Sequence, residues 1–145
     1  MADRWQELFD FLDSLCDMLD ELTEIQKEKT AAVRADDLTT VNDCMKREQA
    51  ISLTLRMMDQ KREKLLAGLG MEGKTLSALP ECCPKERCAE ALEIVEDVRN
   101  CYAIYHSAAN VARSTLELNL HQIERILADM PGGPPEGGSA ADIRA

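Results

Sequence analysis

Along the first 34 residues the apolar positions recur three and four apart: Trp5, Leu8, Leu12, Leu15, Leu19 and Leu22. That alternation is the seam of a coiled coil and predicts a helix over about residues 3–34. Carried further, the register passes through Gln26, Lys29 and Val33, so the seam turns polar near its end. On another face lie Asp3, Glu7, Asp10, Asp13, Asp17, Asp20, Glu21 and Glu24, an acidic stripe that reads as a solvated surface. Asp36 and Asp37 then offer N-caps for a second helix over about 37–69. Its seam is Val41, Cys44, Glu48, Ile51, Leu55, Met58, Arg62, Leu65 and Leu69, interrupted only by Glu48 and Arg62. So short a connection predicts an antiparallel helical hairpin. Folding the chain there brings Gln26 and Lys29 to the level of Glu48, a polar layer suited to fixing register.

Gly70 suits a C-terminal cap for the second helix. Residues 75–80 are expected to form one helical turn that Pro80 stops, and Pro84 is expected as the first residue of a third helix. That helix, about 84–130, holds the most regular seam: Cys88, Ala91, Val95, Val98, Tyr102, Tyr105, Ala109, Ala112, Leu116, Asn119, Ile123, Ile126 and Met130. Asn119 is its one strongly polar member. Residues 131–145, rich in Pro and Gly, read as a disordered tail. The fold class is therefore all-α: a rod-like, elongated antiparallel three-helix bundle or coiled coil over 1–130, with a long C-terminal amphipathic helix and then the tail.

The helix lengths do not match. The first two span about 33 residues, roughly 50 Å, and the third about 47 residues, roughly 70 Å. Laid along the hairpin, the third helix should carry its last dozen or so residues past the Ala35–Asp37 turn. Exposed apolar side chains there would each gain roughly 1.5–3 kcal/mol on burial, and a lone helix of that length is marginal in water. Residues 116–130 are thus expected to take a protein partner, with Leu116, Leu120, Ile123, Ile126, Leu127 and Met130 making the contact. The alternatives are a shorter fourth helix closing the bundle, or a self-associating coiled coil in which the stripe pairs with its own copy as a homodimer.

Composition narrows the function classes. The chain is 45% hydrophobic but only 3% aromatic, with 30% charged residues, as long aliphatic helices require. Its net charge of −10 argues against nucleic-acid binding, which needs clustered Lys and Arg, and against anionic membrane surfaces. No run of about 18 apolar residues predicts membrane insertion, and the N-terminus carries acids where a signal peptide has a basic region. A soluble, cytoplasmic protein is expected. Six cysteines, at 16, 44, 82, 83, 88 and 101, then read as reduced thiols. Cys82, Cys83 and Cys88 are a poor match to a zinc site, though a metal or redox role for them stays open at this point. His106 and His121 each stand alone on the third helix, and Glu117 with His121 is a single i, i+4 pair rather than a di-iron motif. No catalytic residue, metal ligand or cofactor site is expected, and the chain does not read as an enzyme.

Four stretches carry a likeness to a known family. The junction Val33-Arg34-Ala35-Asp36-Asp37-Leu38, with the long amphipathic helices on either side, resembles the first two helices of the FlgN family. The stretch Lys61-Arg62-Glu63-Lys64-Leu65-Leu66-Ala67-Gly68-Leu69-Gly70 resembles that family's end to helix two. Thr75-Leu76-Ser77-Ala78-Leu79 is similar to the short element that follows, and Asn110-Val111-Ala112-Arg113-Ser114-Thr115-Leu116 to the opening of its last amphipathic segment. The likeness covers nearly all of residues 5–130. It implies a flagellar export chaperone that binds hook–filament junction proteins through the C-terminal amphipathic region, prevents early assembly and delivers them to the type III export gate. Two departures stand out: no aromatic residue follows Tyr105, so gate-docking residues do not carry over, and the six cysteines are not a family feature.

Overall fold

The computed structural model describes residues 3–131. Three long helices, α1 (Arg4–Arg34), α2 (Leu38–Gly68) and α4 (Cys88–Asp129), are linked through a short helix α3 (Leu79–Cys82) flanked by 3-10 turns at Leu76–Ala78 and Lys85–Arg87. No strand occurs among the described residues.

Helix α1 is the centre of the molecule. It packs along both α2 and α4, while those two make few direct contacts with each other. This explains why α1 buries more than its predicted seam. Besides Leu8, Leu12, Leu15, Leu19, Leu22, Gln26, Lys29 and Val33, it buries Phe9, Phe11, Ile25 and Ala32. Phe11 lies under Lys61 of α2 and Phe9 under Arg87 just before α4, one on each flank of the seam. In α2, by contrast, only Val41, Cys44, Ile51 and Leu66 are buried.

The hairpin turn is a helix stop and a helix start fused. Asp37 N bonds Ala32 O at 2.9 Å and Asp36 N bonds Val33 O at 3.2 Å, the paired bonds of a Schellman motif. Asp36 takes the left-handed conformation this requires, at φ 55°, so it is not an N-cap. Asp37 alone caps α2, accepting from Thr40 N at 3.1 Å and Thr40 Oγ1 at 2.6 Å. The same motif ends α2: Met71 N bonds Leu66 O, Gly70 N bonds Ala67 O, and Gly70 sits at φ 74°. Met71 and Leu66 are both buried, completing the motif's apolar contact.

Pro80 does not stop a helix; it lies in the first turn of α3, where its missing N–H costs nothing. Pro84 precedes a 3-10 turn rather than opening the last helix, which begins at Cys88. The open end is held by charged side chains. Asp3 caps α1 by accepting from Trp5 N and Gln6 N, and its other oxygen lies 2.8 Å from Arg87 Nη1. The Arg87 guanidinium also lies 4.6 Å from the Phe9 ring centroid. Arg4 donates to Gly68 O at 2.8 Å, tying the start of α1 to the end of α2.

Candidate partner-binding surface

The largest apolar cluster fills the open end, built on Leu8, Phe9, Leu12, Leu15, Leu19, Leu79, Ala91, Ile94, Val95 and Val98. A smaller one, Leu22, Ile25, Cys44 and Ile51, occupies the middle, and the smallest, Ala32, Val33 and Val41, lies under the hairpin turn. The core thus thins steadily toward the turn. Leu116 is the apolar side chain that α4 contributes to that last cluster.

The expected polar layer is present: Lys29 Nζ lies 2.6 Å from Glu48 Oε1, with Lys29 buried and Glu48 half-buried. Gln26 is buried one turn before Lys29. Next to this layer, burial is the main influence pushing the Tyr105 hydroxyl above its ordinary range, and the Glu48 carboxylate adds to it. Tyr102, expected in the seam, is instead exposed, and Cys101 packs against the core beside it. A straight helix drifts against a three-four repeat, so a long seam rotates from one neighbour to the next.

Ala112 is the last buried residue of α4. From there the seam positions open to solvent. Leu116 and Leu120 are half-buried; Ile123 is 44% and Ile126 63% exposed; Leu127 and Met130 are exposed as well. Leu116, Leu120, Ile123 and Leu127 share one strip of the helix, with Ile126 and Met130 beside it, while Leu118 faces the other way. Leu116, Leu120 and Ile123 line a shallow depression on α4 together with Glu117, Asn119, His121 and Glu124. A second depression joins Val33, Arg34 and Asp36 to Leu118, Gln122, Ile123 and Ile126. Leu116 thus still packs on the last core cluster, while Leu120, Ile123, Ile126, Leu127 and Met130 follow it along α4.

The family model described as FlgN protein matches residues 1–136. The chain belongs to the FlgN family. That family consists of flagellar export chaperones, and the helical architecture here agrees with the resemblance drawn from the sequence. No curated protein and no solved structure matches the chain.

Cys83 Sγ and Cys88 Sγ both donate to Pro80 O at 3.5 Å, pinning the loop before α4. Burial, helped by the neighbouring Cys101 thiol, pushes the Cys16 thiol up to about 12. Among the described residues no three His, Cys, Asp or Glu side chains gather as a metal-binding group. None of the described helices is long and apolar enough to cross a membrane. Burial, then repulsion from Asp10, Asp17, Asp97 and Glu90, raises the Asp13 carboxyl above its usual range, so the acidic faces of α1 and α4 meet there. The expected tail begins at Pro131 and otherwise lies outside the described residues.

Proposed function

We propose that this chain is a cytoplasmic chaperone for hook–filament junction proteins, holding them through the C-terminal part of α4 until they reach the export gate. Its work is binding, without catalysis. The observation that supports this reading is the apolar strip running on for four turns after Ala112, the last buried residue of α4. Such a strip is stable as a helix when a partner covers it, and an amphipathic helix from an export subunit fits it side by side. Covering the strip would also hide the subunit's own assembly surface, which is what keeping it unassembled requires.

Ile126 and Leu120 are the test positions. With a hook–filament junction subunit as titrant in calorimetry, Ile126→Asp and Leu120→Asp are each expected to weaken binding by at least tenfold, leaving the helical circular dichroism unchanged. Unchanged affinity in both variants would refute the assignment of this strip.

A further inference from the structure

The weak contact between α2 and α4 leaves a second groove, distinct from the depressions on the end of α4. Its volume is about 510 Å³, and all three long helices line it: Lys29 from α1, Met45, Glu48, Leu53 and Arg56 from α2, and Leu116 from α4. Met45 and Leu53 stand on α2 two turns apart, away from the seam that meets α1. Both are exposed, Leu53 at 61%. At the floor is the Lys29–Glu48 ion pair, in contact at 2.6 Å but without hydrogen-bond alignment at Glu48 Oε1.

From these features we infer that the groove between α2 and α4 seats a second helical stretch of the exported subunit, completing a four-helix packing along α1. The inference rests on the chaperone reading above and extends it to a separate surface. Three features argue for this occupant. The walls are helix ridges with residues four apart, which interdigitate with another helix and offer no unpaired strand edge. Leu116 belongs both to this groove and to the apolar strip of α4, so one continuous path runs from α2 onto the end of α4. Met45, Leu53 and Leu116 form the groove's apolar surface, Gln49 and Ser52 are polar, Lys29 is paired with Glu48, and Arg56 is the further cation in the lining; a whole-chain charge of −10 works against a second copy as occupant. The fitting partner is an amphipathic helix whose apolar side chains meet Met45, Leu53 and Leu116. It places a carboxylate against Arg56.

The test uses the full chain and the hook–filament junction subunit of the same flagellar system, titrated by calorimetry, with the mass of the free chaperone followed by light scattering. Leu53→Asp and Arg56→Glu change exposed or rim positions and leave the core intact; Leu38→Asp, an exposed apolar position outside the groove, is the control. The expected result is at least a tenfold loss of affinity for Leu53→Asp and Arg56→Glu and none for Leu38→Asp. If both groove variants bind as the parent does while Ile126→Asp does not, the groove assignment is wrong and the chaperone reading stands. If the parent chain itself does not bind the subunit, both fall. If Leu53→Asp instead dissolves a dimer of the free chain, the groove belongs to a second copy and the inference is overturned.

Discussion

Lys29 and Glu48 show how one polar pair does what apolar residues in the same seam would not. In a run of interchangeable leucines, a hairpin can slide by a heptad at small cost. A lysine buried on α1 needs its carboxylate at one level of α2, so the pair selects that level. Removing one partner leaves the other buried without compensation, at about 1–3 kcal/mol. Glu48→Leu is therefore expected to lower unfolding free energy by about 2 kcal/mol in urea titrations, more than the double variant Lys29→Met/Glu48→Leu, whose apolar pair packs without a stranded charge. Equal destabilisation in the two would show that the pair does no register-setting work. The level of this layer was legible in the sequence, because both residues break the same three-four pattern at heights the turn brings together. The exposure of Tyr102 was not. It depends on how far a long seam has rotated against a straight neighbour, and no local pattern carries that angle.

The helices themselves were readable to within a few residues, since their seams are long and their stops are specific. The errors fell on short elements, where proline and aspartate each admit two roles. Pro80 starts a helical turn where the sequence alone suggested an end, and Asp36 closes α1 where it looked like a cap for α2. At Asp36 the deciding factor is its own left-handed backbone in the turn that ends α1, and at Pro80 it is a place in the first turn of α3, where no N–H is needed. Gly70 is the clear case: its positive φ is needed by the motif that ends α2, and a Cβ there would meet no neighbour within 4 Å. Gly70→Ala is thus expected to cost about 1 kcal/mol from backbone strain alone. Thermal melts would show a lower midpoint with an unchanged partner affinity. A loss of affinity would mean that the end of α2 also takes part in binding.

At the scale of the whole molecule, the decisive property is the mismatch between one helix and its hairpin. α1 and α2 have 31 residues each and α4 has 42, a mismatch the sequence already implied, but Asn119, Gln122, Ile123 and Ile126 still lie beside Val33, Arg34 and Asp36 at the turn rather than wholly past it. The core clusters shrink toward the turn in step with it. What the sequence did not reveal is the position of α1 between its neighbours, because aliphatic seams on three helices fit a closed bundle equally well. That central position opens the groove between α2 and α4, whose α2 wall includes Met45, Leu53 and Arg56, residues the seam left out. The resulting molecule has a well-packed end and a sparsely packed end, the division that the proposed chaperone reading calls for.

Amide hydrogen exchange, on the chain alone and then with a hook–filament junction subunit, tests this division directly. The account predicts slow exchange across residues 91–112 in both states, and fast exchange across 116–130 that slows strongly once the subunit is added. Strong protection of 116–130 in the free chain at low concentration would show that the strip is already covered, and would contradict it.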